Sequence, residues 1–150
     1  LRGMLRDQTK SDQTFVDILR DFLAAHQGGF VSTKDFQAAV ARRAPEDWSW
    51  FFDEWVDGTA IPSYRWSYKL AAAPDAEGKW PVALRVRQAD VPAGFKMSVP
   101  VVVDFGNGKT ERLRVMVDDA EKTFTLSFAE KPRSLTFNPD SEVLAKVKKE

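Results

Sequence analysis

Few side chains in this chain could do chemistry. His26 is the only histidine, and there is no cysteine. A metal site of His and Cys ligands is therefore out of reach, and one built from three carboxylates is a poor set for zinc. Thiolate catalysis and disulfides are excluded with the cysteines. His26 shares a helical stripe with Phe15, Phe22 and Leu23, which reads as a half-buried histidine favoured by the helix C-terminus. Asp53, Glu54 and Asp57 form an acidic cluster beside the aromatic segment. Asp53 and Asp57 share the face opposite the aromatic one, so they read as a solvated helix side. The spacing lacks the alternating oxygen ligands and glycine of a calcium loop. No serine sits in G-x-S-x-G. Gly106-Asn107-Gly108-Lys109 lies between alternating segments, where a hairpin explains it without a phosphate.

The elements that would position such groups change character midway. Trp48, Phe51, Phe52 and Trp55 recur at i, i+3, i+4 and i+7, one face of a helix. Gly58 offers positive φ at its C-terminus, and Pro62 forbids continuation. Upstream, Ser11 is placed to cap a helix whose Phe15, Ile18, Leu19, Phe22 and Leu23 face inward, ending at Gly28-Gly29. Ser32 and Asp35 make a capping box for a helix carrying Phe36, Ala39 and Val40 inward. Asp47 can cap the aromatic helix.

Beyond Pro62 the period becomes two. Tyr64, Trp66, Tyr68 and Leu70 alternate with Arg65, Ser67 and Lys69; Val82, Leu84 and Val86 alternate with Ala83, Arg85 and Arg87. Phe95 to Val103 alternates similarly, with Pro100 suggesting an edge or a bulge. Leu113 to Val117, Phe124 to Phe128 and Leu135 to Phe137 complete about six strands, the pattern of a β-sandwich. Asn138-Pro139-Asp140 opens a short helix or irregular tail through Val143, Leu144 and Val147. The expected class is α+β, with helices over residues 1–60 and an antiparallel β-sandwich over 61–150.

Composition agrees with a globular chain. Its 150 residues carry 22 basic and 22 acidic side chains, a formal net charge of zero, which argues against nucleic acid as a partner. Arg85/Arg87 and Lys146 to Lys149 are the nearest things to basic patches and read as solvated surface. No apolar run is long enough to span a membrane. A start at Leu1, inside a helical pattern, reads as a piece of something longer.

Taken in order, Met4-Leu5-Arg6, Phe15 with Phe22, Ser32-Thr33 with Asp35-Phe36, and Phe51-Phe52-Asp53-x-Trp55-Val56-x-Gly58-Thr59-x-Ile61-Pro62 resemble the later part of the aminopeptidase N family of zinc metallopeptidases. Tyr64-x-Trp66-x-Tyr68, Gln88, and Phe95-Lys96-Met97 leading to Val99-Pro100-Val101 continue the likeness over nearly the whole chain. Ala60 departs from it where the family usually has Gly, Gly3 where a bulkier helical residue is usual, and Ala44-Pro45 where a Gly is common. The resemblance implies the last helices of a thermolysin-like catalytic lobe followed by an immunoglobulin-like sandwich. It also implies that Trp48, Phe51, Phe52, Trp55, Gly58, Ile61 and Pro62 serve interdomain packing. The family's H-E-x-x-H motif, distal glutamate, oxyanion tyrosine and G-x-M-E-N loop match no position here. Zinc and peptide substrates would thus belong to a parent protein, with no catalytic, cofactor or metal residue in this chain. Its partners would be the missing catalytic lobe and, through uncovered apolar surface, other copies of itself. Two alternatives share the pattern: a non-catalytic protein-interaction scaffold, and a free-standing peptide- or carbohydrate-binding module using an exposed Tyr64/Trp66/Tyr68 row.

Overall fold

The computed structural model describes residues 1–150. The chain divides into two compact units, Leu1–Thr59 and Ala60–Glu150. The first is helical: α1 (Arg2–Thr9), α2 (Gln13–Ala25), α3 (Thr33–Arg43) and α4 (Ser49–Trp55). The capping box of α3 forms as its sequence predicts. The Asp35 amide donates to the Ser32 hydroxyl oxygen at 3.3 Å, and the Ser32 amide donates to the Asp35 carboxylate at 2.8 Å. Ser11 and Asp47 act one residue ahead of the expected cap position. Each accepts the backbone N–H two residues on, from Gln13 at 3.0 Å and Ser49 at 2.9 Å. Ile18, Ala39 and Val40 are buried as expected, whereas Leu19 and Leu23 are exposed.

The second unit contains seven strands in two sheets. One has the order β5 (Glu121–Phe128), β2 (Trp80–Ala89), β1 (Ser63–Leu70), β7 (Lys146–Lys149). The other runs β4 (Lys109–Val117), β3 (Met97–Gly106), β6 (Ser134–Phe137). Period-two alternation gives each strand one buried row: Val82, Leu84 and Val86 of β2, and Val99, Val101 and Val103 of β3, are essentially inaccessible. Aromatic rings join the sheets. Phe137 of β6 lies 5.5 Å from the Tyr64 ring and 5.9 Å from the Trp66 ring of β1, and Phe105 of β3 lies 5.6 Å from Phe128 of β5. The β3–β4 hairpin turns on Asn107 and Gly108, both at positive φ, the conformation a two-residue hairpin loop requires.

Two features differ from the sequence expectation. Pro100 lies in a central strand, and the register shift falls at Asp104/Gly106 instead. The sheet tolerates Pro100 because β6 pairs only from Val101 to Asp104. On that side the Pro100 carbonyl accepts from the Asn138 amide at 2.8 Å, and no ladder donor is required of the proline nitrogen. The residues after Phe137 form a 3₁₀ turn (Pro139–Ser141) and then β7, which pairs with β1 in parallel, so the sandwich is not wholly antiparallel.

Asn138 makes that return possible. Its side chain is buried and bridges both ways to Val143, donating from Nδ2 to the carbonyl at 2.9 Å and accepting the amide at Oδ1, also 2.9 Å. Its φ of 51° is a conformation Asn tolerates better than most residues. Asn138→Ala leaves both Val143 groups unpaired and is expected to lower stability by about 2–4 kcal/mol, read as a shift in the urea midpoint of the full chain.

Candidate functional site

The aromatic segment forms as a local network within the helical unit. Trp48 precedes the first turn of α4 and stacks on Trp50, with ring centroids 5.9 Å apart. Phe51 meets Phe52 edge to face at 5.7 Å, Phe52 meets Phe36 of α3 at 6.2 Å, and Phe36 meets Phe22 of α2 at 5.3 Å. Such T-shaped pairs contribute about 0.5–1.5 kcal/mol each beyond area burial. Trp48 and Phe52 are buried, Phe51 and Trp55 half-buried. Gly58 and Ile61 are exposed and Pro62 is fully buried. Thr59 closes the helical unit and Ala60 opens the sandwich, so the segment runs from one unit into the other.

Gly58 is required for a reason other than the one its sequence position suggests. Its φ is not in the left-handed region. The Phe52 carbonyl accepts from both Val56 (3.0 Å) and Asp57 (2.9 Å), widening the last turn. A Cβ on residue 58 would then sit 2.4 Å from the Glu54 carbonyl oxygen, a collision with backbone.

The Tyr64/Trp66/Tyr68 row is no surface platform. Tyr64 and Trp66 are buried against Phe137, which removes the stacking-module reading that needed them exposed. Tyr68 is half-buried, and the Lys149 ammonium lies over its ring at 4.7 Å and over that of Trp66 at 5.3 Å. Gln88, within β2, accepts from the Tyr64 hydroxyl at 3.2 Å and donates to the Phe95 carbonyl at 3.0 Å. Gln88 and Phe95 line an open pocket of about 200 Å³ together with Pro92, Gly94 and Asp119. Its lining is apart from any cluster of catalytic groups.

The acid–base candidates stay separate. His26 Nδ1 lies 2.8 Å from the Phe22 carbonyl and its ring packs 4.8 Å from the Phe22 ring. Asp53 and Asp57 are exposed and Glu54 is half-buried. No three His, Cys, Asp or Glu side chains converge as a metal cage would require. The zinc implied by the resemblance therefore does not fit the residues of this chain, and no chemical step is assigned to it here.

The structure does assemble something the linear sequence keeps apart. Arg85 and Arg87 of β2, Arg65 and Lys69 of β1, and Lys146 and Lys148 of β7 all project from the outer face of one sheet, in register. Glu121 of β5 bridges Arg85 (2.6 Å) and Arg87 (2.9 Å). Glu150 stands 3.8 Å from both Arg65 and Arg87. Each basic pair at i, i+2 was visible in the sequence. Their union depends on β7 lying beside β1, and no local signal announces a parallel return strand.

A scan against protein-family models finds no match to this chain, and a search of curated proteins finds none either.

Two outcomes follow from these geometries. Gly58→Ala is expected to destabilise the chain by more than about 1 kcal/mol in urea denaturation, although alanine is the better helix former. Several carboxylates are held below their usual pKa. The causes are the Arg2 guanidinium for Asp12, Arg43 for Asp21, the Ser32 hydroxyl and amide for Asp35, and Arg85 then Arg87 for Glu121. A depressed folded pKa adds stability that is complete above the unfolded value, about 4, and is lost as pH falls through the lower folded value. The urea midpoint should therefore drop on acidification below about pH 4, and less steeply so in Asp35→Asn.

Proposed function

We propose that this chain is the non-catalytic later part of a zinc-dependent aminopeptidase of the aminopeptidase N family. In this reading the helical unit is the end of the catalytic lobe, and the sandwich is an immunoglobulin-like module that braces it. The parent removes N-terminal residues from peptides with zinc held by residues upstream of Leu1. The residues numbered here supply shape and support.

One observation carries the helical half of this reading. Val16, Leu19 and Leu23 of α2, spaced i, i+3 and i+7, are exposed, as are Val31 and the entirely uncovered Phe30. Covering a side chain of this size contributes about 1.5–3 kcal/mol, so a stripe of them marks a surface made to be covered. The rest of a larger lobe is the cover we assign. For the sandwich, the second strand lies between the first and fifth, and the third pairs with the sixth. Those adjacencies are the ones an immunoglobulin-type sandwich uses, which supports the finer class. The fourth strand beside the third and the seventh beside the first are departures from the constant-type arrangement.

The coding sequence upstream of Leu1 tests the reading first: H-E-x-x-H followed by a distal Glu is expected. A decayed motif would turn the reading into an interaction scaffold on the same fold. The isolated chain, supplied with zinc, should leave leucine p-nitroanilide intact; turnover above buffer would overturn the assignment. Light scattering at rising concentration should show self-association through the α2 stripe, and a strict monomer counts against the uncovered-lobe explanation.

A further inference from the structure

The outer face of the β5-β2-β1-β7 sheet does not resemble the average surface of a chain whose net charge is zero. Six cations, Arg65, Lys69, Arg85, Arg87, Lys146 and Lys148, stand there against Glu121, Glu150 and the bordering Asp90. Asp90 is already engaged, accepting from the Ser63 hydroxyl at 2.5 Å. The side-chain ammonium groups of Lys69, Lys146 and Lys148 take part in no hydrogen bond or ion pair. The other positions of the face are small or hydroxylated: Ser67 of β1, Pro81 and Ala83 of β2, and Thr123, Thr125 and Ser127 along β5. An open pocket of about 330 Å³ lies among Ser63, Arg65, Asp90, Lys146 and Lys148.

We propose that this face docks an acidic protein segment, an extended stretch with Asp or Glu at alternate positions. The molecule's own carboxylates show what the arginines accept. Glu121 is seated across Arg85 and Arg87 with an oxygen to each, and Glu150 stands between Arg65 and Arg87 without reaching hydrogen-bond distance. Glu150 is thus displaceable by a carboxylate that approaches closer. The cation spacing matches an extended chain. Lys148, Arg65 and Arg87 form one cross-strand rung, Lys146 begins the preceding rung, Arg85 the next and Lys69 the one after. Successive rungs are about 6.8 Å apart, the repeat of alternate side chains on an extended peptide.

Other anionic partners fit less well. Single-stranded nucleic acids are held by aromatic stacking as well as charge, and this face carries no exposed aromatic ring. A membrane surface is held by large apolar side chains beside the basic ones, and the outward row offers only Pro81, Ala83 and Ala89, with Val147 at the edge of the pocket. Lysines on an edge strand are also a device against strand pairing. That device explains Lys146 and Lys148 of β7, and Lys69, which lies beyond the end of β7 on an open stretch of β1. It does not explain Arg65, which is paired on both sides, nor Arg85 and Arg87 of the interior strand β2.

The experiment measures binding of the full chain to fluorescent poly-L-glutamate at low and physiological salt, with single-stranded RNA and phosphatidylserine vesicles in parallel. Expected is saturable binding of polyglutamate, weakened at least tenfold by K69E/K146E/K148E. The matched control K10E/K34E/R42E, in the helical unit, should leave it within about twofold. If the reversed variant melts early, K69Q/K146Q/K148Q replaces it and should still weaken binding severalfold. No binding of polyglutamate overturns the proposal. Equal weakening by the control would reduce the effect to net charge and overturn it also. Tighter binding of RNA or of vesicles than of polyglutamate overturns it in favour of that partner. The result is independent of the peptidase reading, because none of these arms depends on an upstream zinc motif.

Discussion

Burial of Tyr64 and Trp66 against Phe137 is the contact on which the β unit turns. It joins the two sheets through β1, which pairs with β2 on one side and β7 on the other. A strand has a period of two, so fixing the even residues of β1 inward fixes Arg65 and Lys69 outward. Cross-strand register passes the same choice to Arg85 and Arg87, and then to Lys146 and Lys148. The basic face is thus a consequence of the core. A one-residue slip of β1 would bury its cations and expose both aromatics, which makes the register strongly specified.

The helical unit follows a different logic. Its aromatic chain from Phe22 through Phe36 and Phe52 to Phe51 links α2, α3 and α4 by ring contacts, beside a buried aliphatic set of Met4, Leu5, Ile18, Ala39 and Val40. Meanwhile α2 keeps Ile18 buried but leaves Leu19 and Leu23 in solvent. A helix with an apolar stripe wider than the surface its neighbours cover would be stabilised by a further contact. That mismatch is physical support for the larger-lobe reading, apart from the resemblance that first suggested it.

Local signals were legible in the sequence, and long-range ones were not. The Ser32–Asp35 box, the Asn107-Gly108 turn and the buried rows of β2 and β3 each follow from residues within a few positions of one another. Pro100 suggested an edge because proline lacks a donor. The sheet instead ends its neighbour β6 one residue short, a fact set by a strand more than thirty residues away. Gly58 suggested a left-handed cap, whereas the shared acceptor at Phe52 brings the chain close to Glu54 without positive φ. Val143, Leu144 and Val147 suggested a helical tail because three apolar residues at that spacing fit one. The helix that forms is one 3₁₀ turn, Pro139–Ser141; Asn138 then ties the chain back at Val143, and β1 offers an unpaired edge to β7. The candidate aromatic segment was therefore readable, and the basic face was not.

What the basic face adds to folding is small. Glu121 and Glu150 already offset the repulsion among Arg65, Arg85 and Arg87, at exposed positions where solvent screening leaves ion pairs weak. Lys69, Lys146 and Lys148 bring no such partner, and each brings another positive charge close to the arginine rungs. Like charges facing one another across strands weaken a sheet. Serine or threonine would serve at those exposed positions with less repulsion, as the neighbouring Ser67, Thr123 and Thr125 demonstrate. The sequence thus carries a local electrostatic cost that the core does not explain; edge protection accounts for the lysines but not for the arginine rungs beside them. Charge concentrated on one face, in a chain with equal acidic and basic counts, steers an oppositely charged partner toward that face and fixes its orientation more than it raises affinity.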